Sequence, residues 1–339
     1  MAKSVKLADI AEIMNVSVVT VSKALSGQKG VSEEMREKIK KLASEMGYKQ
    51  PSAMKVTKSG KSYNIGVLVS DRFLDKYESF YWQMYQEVAQ KALKKECFTM
   101  LEVLGTDDEN RLVLPKLIQE NKVDGMIVLG LLSDEYLDLL YNEVKTPLIY
   151  LDFYDKRHEC DAIITDNYYG MYKLTSYLFD MGHTQIAYVG NLLYTGSITD
   201  RYFGYCKALL EHGQKVREDW IIEDRDSQTG RSDGGFELKL PEQMPTAFVC
   251  NCDVSASQII KKLKESGYRV PEDVSVVGFD NYLYPGLCDV EITTYEVDMK
   301  EMARKSINNM IKKISGEHYK TGNTIVEGHV VLKDSVCGR

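Results

Sequence analysis

The sequence lacks any apolar run that approaches the ~20 residues needed by a membrane-spanning helix, so we expect a protein without a membrane segment. Proline is sparse and glycine is no more frequent than usual, at 7 and 24 of 339 residues, which argues against collagen-like and low-complexity chains. Hydrophobic residues make up 44% and charged residues 27%, which is the balance of a folded globular protein. The length predicts two or three modules at the usual ~100–200 residues each.

Paired cysteine motifs and catalytic signatures are also scarce. Among the 7 cysteines, Cys250 and Cys252 form a CxC without a second pair at the spacing of zinc ligands. The sequence has no GxxxxGK[ST] phosphate loop. The first residues carry charges where a secretory leader needs an apolar stretch, so we expect reduced thiols in the cytoplasm. We therefore expect a binding protein without a metal site or cofactor, and not an enzyme.

Charge is distributed unevenly along the chain. Residues 1–61 hold 12 Lys and Arg against 6 Asp and Glu, whereas the remaining residues hold 31 against 44, for a net charge of −7 overall. A basic segment on an acidic body predicts that only the N-terminal part meets a polyanion. A basic surface that is simply solvated would give the same counts.

The first 47 residues predict a domain of three helices. Apolar residues at helical spacing end at Met14, Asn15 interrupts the pattern, and Ser17 is placed to cap a second helix over Val18–Leu25. A third helix begins after Ser32. Two short helices joined by a tight turn are typical of a helix-turn-helix, whose second helix enters the major groove of duplex DNA. A three-helix bundle with no DNA partner would show the same spacing.

The candidate DNA contacts are small, polar or basic side chains on and around the second helix. Valine and threonine methyl groups contact thymine methyl groups, whereas hydroxyl and ammonium groups hydrogen-bond to base edges or phosphates. The predicted contacts of this domain are Lys6, Ser17, Val18, Val19, Thr20, Ser22, Lys23 and Ser32.

This domain resembles one known family over a long stretch. The segments DIA, NVS, TVSKALSG, VSEEMREKI and MGY stand where the lactose-repressor/galactose-repressor family has them. The resemblance implies a homodimer whose two N-terminal domains read an approximately palindromic operator in double-stranded DNA.

Residues 48–63 are polar and basic and form a predicted hinge or linker. The family carries a hinge helix here that inserts a leucine between base pairs, and the resemblance places the leucine position on Thr57. Threonine is a poor wedge, so we expect either less kinking of the duplex or substitution by Val56. A disordered tether is the alternative in the absence of DNA. The predicted DNA contacts of this segment are Met54, Lys55, Val56 and Thr57.

Over residues 64–339, short apolar runs alternate with amphipathic helices. This alternation predicts an α/β body with parallel, doubly wound sheets. The pattern restarts after about residue 160, so we expect two lobes, the second of which begins with the strand Ala162–Thr165. The family resemblance continues in TDNYYGMYKL, DRYFGYCKALLEHG and PEDVSVVGFDN, and it implies a periplasmic-binding-protein-like fold.

Two lobes imply a cleft, and ligands of open α/β sheets lie beyond the carboxyl ends of the strands. In the family, the Arg of DRYFGY and the Asp of GFDN contact the effector, and these correspond to Arg201 and Asp280. A guanidinium fork and a carboxylate suit a vicinal diol. A structural ion pair is the alternative. The other candidates follow strand ends or offer aromatic faces to a sugar: Asp71, Tyr77, Phe80, Tyr81, Tyr169, Arg225, Cys252 and Asp253.

Two departures from the family sequence leave the chemical class of the ligand undecided. Arg225 stands where an aromatic side chain often covers the sugar, and Cys252 stands where the family commonly has asparagine. Arg225 would suit a sugar phosphate or a uronate, so neutral and acidic sugars both stay open. The function we predict is a DNA-binding transcriptional repressor controlled by a carbohydrate-type effector. The alternative is a cytosolic sugar-binding or sugar-processing protein with a helical N-terminal domain.

Overall fold

A computed structural model of the protein describes residues 7–25, 30–46, 56–57, 60–74, 79–226, 236–283 and 286–339. The chain divides into two compact units, Met1–Tyr63 and Asn64–Arg339. Among the described residues, no helix has the length and apolar content required to cross a bilayer.

The described part of the first unit contains three helices, α1 (Leu7–Met14), α2 (Val18–Leu25) and α3 (Glu33–Glu45), and this arrangement confirms the predicted three-helix domain. Asn15 adopts a left-handed backbone with a φ of 50°, a conformation that asparagine tolerates better than most residues, and this allows the tight turn after α1. The helices enclose a small apolar core. Its buried members are Ile10, Ala11, Val21, Ala24, Ile39 and Ala43.

The described part of residues 48–63 contains a short antiparallel pair of strands. Strand β1 (Val56–Thr57) pairs with β2 (Gly60–Lys61), with Val56 opposite Lys61 and Thr57 opposite Gly60. The backbone at Val56 and Thr57 is therefore extended in this structure and not helical.

The second unit contains two parallel sheets, each the centre of a lobe. The strands of the first sheet are β3 (Asn64–Ser70), β4 (Phe98–Leu104), β5 (Gly125–Leu129), β6 (Leu148–Leu151), β7 (Ala162–Thr165) and β13 (Asn323–Val326). They pair in the order β13-β7-β6-β5-β3-β4, and every pair is parallel. The helices of this lobe are α4 (Phe80–Lys94), α5 (Thr106–Asn110), α6 (Lys116–Gln119), α7 (Asp134–Glu143) and α11 (Met299–Ser315).

The second sheet has four strands: β8 (Ile186–Val189), β9 (Ile221–Ile222), β10 (Ala247–Cys250) and β11 (Ser275–Val277). They pair in the order β11-β10-β8-β9, again in parallel. The helices of this lobe are α8 (Asn167–Asp180), α9 (Gly196–Glu211) and α10 (Asp253–Glu265). Each lobe has its own apolar core, with Tyr136 and Tyr150 buried in the first and Phe248 and Trp220 in the second. The α/β body with two parallel sheets is confirmed.

The chain passes between the lobes at three places among the described residues. The first passage joins β7 to α8, and the second joins β12 (Thr294–Glu296) to α11. The third joins β13 to β14 (His329–Val331). Because β12 and β14 pair antiparallel with each other, two of the passages are tied together beside the second lobe.

The predicted start of the second lobe is wrong. Strand β7 pairs with β6 on one side and with β13 on the other, so Ala162–Thr165 belongs to the first sheet. Strand–helix alternation is a local pattern, and it does not show which sheet a strand joins. The partner strand β13 lies near the far end of the chain, where the sequence pattern gives no sign of the pairing.

Candidate functional site

A cavity of about 330 Å³ lies between the lobes, beyond the carboxyl ends of both sheets. Its first-lobe wall includes Phe80 and Tyr81 from the start of α4 and Asp152, which directly follows β6. The second-lobe wall includes residues that follow each strand of that sheet or begin its helices. The ones that matter here are Tyr194, Arg201, Arg225, Asn251, Cys252, Ser255, Asp280 and Tyr282.

Arg201 is held in one position by a hydrogen bond from each of its three guanidinium nitrogen atoms. Its Nε donates to Asn167 Oδ1 at 2.8 Å, its Nη1 to the Asn251 carbonyl at 2.5 Å, and its Nη2 to Asp280 Oδ1 at 3.2 Å. The guanidinium carbon lies 3.8 Å from the centre of the Phe279 ring, a cation–π contact. Because the residue is only 5% exposed, its remaining N–H groups are presented in a fixed direction.

Two carboxylates, Asp152 and Asp280, lie on a left-handed backbone, with φ of 71° and 101°. Such a conformation is uncommon outside glycine, asparagine and aspartate, and strained residues cluster at functional sites. Asp152 Oδ2 accepts a hydrogen bond from the Tyr81 hydroxyl at 3.0 Å. Burial raises the pKa of Asp152 to about 6 and that of Asp280 to about 7, although the Arg201 charge opposes both shifts. Both carboxyl groups therefore gain or lose a proton to solvent near neutral pH.

Arg225 is bound to the residue before it. Its Nε donates to Asp224 Oδ1 at 3.0 Å and its Nη2 to Asp224 Oδ2 at 2.7 Å, so the pair is bidentate. Asp224 is fully buried and also accepts from Asn251 Nδ2 at 2.6 Å and from the Ser255 hydroxyl. Burial alone would raise the pKa of Asp224, but its hydrogen bonds and the Arg225 charge hold that pKa below its usual value. Asp224 thus organises three side chains of the cavity wall.

Aromatic side chains approach each other across the cleft. The rings of Phe80 in the first lobe and Tyr282 in the second lie edge to face, with centres 6.2 Å apart. The Phe73 and Tyr81 rings lie 4.6 Å apart on the first-lobe side. These faces supply apolar area on which a sugar ring packs.

The structure brings part of the predicted effector set into the cavity. The predicted residues that line it are Phe80, Tyr81, Arg201, Arg225, Cys252 and Asp280. Cys252 is also the N-cap of α10, where its Sγ accepts the backbone N–H of Ser255 at 3.5 Å. The predicted contact Tyr77 lies outside the described residues.

Three predicted effector contacts lie away from the cavity. Asp71 caps α5, since its carboxylate accepts the backbone N–H of Thr106 at 3.2 Å and the Thr106 hydroxyl at 3.0 Å. Tyr169 lies on the outer surface of α8, with its ring 4.3 Å from the Lys173 ammonium group. Asp71 was selected by its position after a strand and Tyr169 by its aromatic ring. Neither criterion distinguishes a ligand contact from a helix cap or a surface residue.

The third of these, Asp253, is buried beneath the cavity and is not part of its lining. Its Oδ2 accepts the backbone N–H of Tyr282 at 2.9 Å, which ties the start of α10 to the loop that holds Asp280. A Cβ at Gly278 would lie 2.0 Å from Asp253 Oδ1, so glycine is required for this close approach. Asp253 therefore supports the Asp280 loop from below.

Sequence reasoning missed several lining residues, and a usable signal existed for two of them. Asp152 directly follows β6 and Asn251 directly follows β10, which is the position that selected Asp71 after β3. Tyr194 and Ser255 carry no comparable signal, because the first lies in an irregular segment and the second lies within the first turn of α10.

The second helix of the N-terminal domain presents one face to solvent. Val21 and Ala24 are fully buried, whereas Val18 and Val19 are 44% and 61% exposed. Among the other predicted DNA contacts, Ser22 and Lys23 are exposed and Thr20 is half-buried.

The predicted cap at Ser17 is confirmed, and Ser32 caps α3 in the same way. Ser17 Oγ accepts the backbone N–H of Thr20 at 3.1 Å, and Ser32 Oγ accepts that of Met35 at 3.4 Å. Arg36 donates to the Ala24 carbonyl at 3.2 Å at the end of α2. The predicted contacts Lys6, Met54 and Lys55 lie outside the described residues, and Val56 and Thr57 lie in β1.

Comparison with known proteins identifies both parts of the chain. Residues 6–51 match the bacterial regulatory proteins of the lacI family, and residues 175–336 match the periplasmic binding protein-like domain. The HTH-type transcriptional repressor PurR of Aliivibrio salmonicida is 26% identical over 330 residues, which cover 97% of this chain and 98% of the relative. The PurR repressor of Glaesserella parasuis is 25% identical over 308 residues, which cover 90% and 89%.

Solved structures show the same fold along the whole chain. The lac repressor dimer bound to operator and the anti-inducer ONPF superposes with a TM-score of 0.70 at 21% identity, over 99% of this chain and 100% of that one. The complex of the transcriptional regulator CelR with cellobiose has a TM-score of 0.68 at 22% identity, over 98% and 99%. The chain therefore carries a DNA-binding domain of the lacI family of bacterial regulatory proteins and a periplasmic binding protein-like domain, and it is similar along nearly its whole length to transcriptional repressors.

Proposed function

We propose that the protein represses transcription as a cytoplasmic homodimer and that a carbohydrate-type effector in the cleft sets its affinity for operator DNA. The observation that carries this proposal is the cavity of about 330 Å³, in which the Arg201–Asp280 pair meets aromatic faces from both lobes. Ligand pockets for small molecules begin at about this size. The cellobiose found in the CelR structure supports a sugar as the ligand of this fold.

The chemistry of the walls supports contact with hydroxyl groups. The Asp280 carboxylate accepts one or two hydroxyl hydrogens, and the N–H groups of Arg201 that have no protein acceptor donate to ring or hydroxyl oxygens. Phe80 and Tyr282 cover an apolar sugar face from opposite sides of the cleft. We assign Arg201 and Asp280 the central contacts, with Tyr81, Arg225 and Cys252 around them.

The exposed face of α2 is the proposed reading surface for DNA. Val18, Val19 and Lys23 stand at its N-terminal half and along its solvent side, where a recognition helix contacts base edges. We assign phosphate contacts to Ser32 and Lys6, and minor-groove contacts to the linker. The proposed linker contacts are Met54, Lys55, Val56 and Thr57.

The effector acts through the relative orientation of the lobes. A ligand that touches both walls favours one orientation, and the three passages between the lobes allow a hinge-like motion about them. In a dimer, such a motion changes the spacing of the two DNA-binding domains. Effector and operator affinities are then coupled, and the coupling is reciprocal.

We infer that the cleft binds its ligand without converting it. The curated relatives are repressors, and the lining described above includes no histidine that would activate a nucleophile. A Gly-x-Ser-x-Gly pentapeptide at residues 230–234 falls outside the described residues. Incubation of the purified protein with each bound sugar, followed by chromatography of the products, tests this point.

Operator binding by the full-length protein tests the proposal. Duplexes selected from genomic fragments are titrated with protein, and the operator affinity is measured by fluorescence anisotropy with and without saturating sugar. We expect a preferred fragment and a change in its affinity when the effector is added. No preference over random competitor, or an operator affinity that every sugar leaves unchanged, contradicts the proposal.

A further inference from the structure

We infer that the cleft selects a polyhydroxylated ligand that carries no negative charge, and that Asp224 sets this selectivity. The inference rests on the proposed function, because it narrows the ligand class of the same cleft. It decides between the neutral and the acidic sugars that the sequence leaves open.

Each guanidinium group in the described lining is paired with an acidic side chain of the protein. Arg201 Nη2 lies 3.2 Å from Asp280 Oδ1. Arg72 Nη2 lies 3.2 Å from Oε1 of Glu109, whose side chain is 3% exposed. An arginine whose charge is already balanced by a protein carboxylate attracts a phosphate or carboxylate group of a ligand only weakly.

Arg225 is the residue expected to bind the anionic group of an acidic sugar, and its hydrogen bonds argue against such binding. Its bidentate bonds to Asp224 occupy Nε and Nη2, the two donors that would grip a carboxylate or phosphate side-on. Asp224 has no exposed surface and is fixed by Asn251 and Ser255, so it does not move aside for a ligand. The guanidinium group instead forms part of a neutral wall, near the Tyr194 ring.

Asp152 adds a carboxylate without an ion-pair partner among the described residues. The residue is 9% exposed and lines the cavity, yet its Oδ1 has no hydrogen-bond partner in the described part of the chain. Its other oxygen accepts from the Tyr81 hydroxyl. A ligand hydroxyl satisfies the free oxygen, whereas a ligand anion meets it as a like charge in a buried site.

The direct test is isothermal titration of the full-length protein with matched sugars. The probes are glucose, galactose, ribose and cellobiose, with glucose 6-phosphate, galactose 6-phosphate, ribose 5-phosphate, glucuronate and galacturonate as charged counterparts. We expect at least one neutral sugar to bind at least about tenfold more tightly than its charged counterpart, a difference that corresponds to ~1.4 kcal/mol. Equal or tighter binding of the charged member overturns the inference, as does the failure of every neutral sugar to bind.

Substitutions then test the role of Asp224. Asp224→Asn keeps the shape and releases the Arg225 charge, so the preference for the neutral sugar should fall by about tenfold. Adding Arg225→Gln to this variant removes the released charge and should restore the preference. Asp219→Asn is the matched control, because it breaks the exposed Arg217–Asp219 pair outside the cavity and should leave the preference unchanged.

A second variant keeps the test valid if Asp224→Asn does not fold. Arg225→Gln alone removes the cation and leaves Asp224 in place, so the preference for the neutral sugar should stay the same or rise. A fall in that preference would show that Arg225 receives anions. Operator binding is measured on the same samples, so a protein that binds its operator yet prefers phosphorylated sugars refutes this inference alone, whereas loss of operator preference refutes the proposed function.

Discussion

The hydroxyl of Tyr154 in the first lobe lies 3.3 Å from both carboxylate oxygens of Asp200 in the second. The contact is supported by close packing, since a Cβ at Gly196 would lie 3.2 Å from Cζ of the tyrosine ring. Tyr154 follows β6 and Asp200 lies in the first half of α9, so this hydrogen bond joins the two lobes directly. It stabilises the lobe orientation seen in this structure.

Replacing Tyr154 with Phe should weaken effector binding by about threefold to tenfold, because a net hydrogen bond contributes about 1 kcal/mol to the orientation that the ligand bridges. Isothermal titration with the effector measures this change. Tyr172→Phe is the control, since the Tyr172 hydroxyl bonds to Glu211 within the second lobe. Equal effects of both substitutions would show that the Tyr154–Asp200 contact has no special role in binding.

Arg201→Ala should abolish the rise in melting temperature caused by the effector and should lower the free energy of unfolding by roughly 3 kcal/mol. The loss has this size because a buried Asp280 is left without its cation. Adding Asp280→Asn should recover about 1–2 kcal/mol, since it removes the unpaired carboxylate. Chemical denaturation of the single and double variants measures both values, and strictly additive losses would contradict the pairing.

Lowering the pH from 7 to 4 should raise the free energy of unfolding and should weaken the binding of a neutral sugar. Burial raises the pKa of Asp280 to about 7 and that of Asp152 to about 6, above the ~4 of an unfolded aspartate. Arg201 opposes both shifts, Arg225 opposes and Asp152 adds to the shift at Asp280, and the Tyr81 hydroxyl opposes the shift at Asp152. Between pH 4 and 7 the folded state therefore binds more protons, and these groups make the free energy of unfolding fall as the pH rises.

Affinity for a neutral sugar should instead rise over this same interval, because the ionised carboxylates accept its hydroxyl groups. Denaturation and titration from pH 4 to 8 measure both trends. The Asp280→Asn variant should show a smaller slope in each. Sugar affinity that falls with rising pH would contradict the assignment of the carboxylates as acceptors.

Substitutions of two valines on α2 should affect operator recognition and domain stability separately. Val19→Ala should change the preferred operator sequence and leave the melting temperature of the N-terminal domain within about 1 °C, because its side chain is 61% exposed. Val21→Ala removes methyl groups from a fully buried position and should cost about 1–3 kcal/mol of domain stability. Operator selection and calorimetry distinguish the two, and an unchanged operator preference in Val19→Ala would remove Val19 from the reading surface.

Local patterns predicted most elements of this fold and a part of its site. Buried strands such as Gly125–Leu129 and Ile186–Val189 stand out as short apolar runs, and the caps Ser17 and Ser32 precede their helices. Sheet membership did not follow from such patterns, because β7 pairs both with β6 and with β13, a strand far along the chain. Long-range contacts of this kind leave no local trace.

The same distinction applies to the cleft. Arg201 was found through the family resemblance, but the bond between Arg225 and Asp224 depends on side-chain geometry that no spacing predicts. The sequence therefore indicated that Arg225 could bind an anionic ligand, whereas in the structure the charge of Arg225 is balanced by Asp224. The buried support from Asp253 to the Asp280 loop is a further case, since a carboxylate after a strand looks the same whether it faces a ligand or the backbone.

The order of the strands has a consequence for biosynthesis. The sheet of the first lobe acquires its last strand, β13, and its covering helix α11 only after the four-stranded sheet of the second lobe has been translated. During synthesis, the nascent first lobe therefore exposes the edge of β7 and the apolar surface that α11 later covers, which is the kind of surface that chaperones protect. The second lobe, by contrast, has its four parallel strands in one uninterrupted stretch and is free to fold first while the ribosome completes the other.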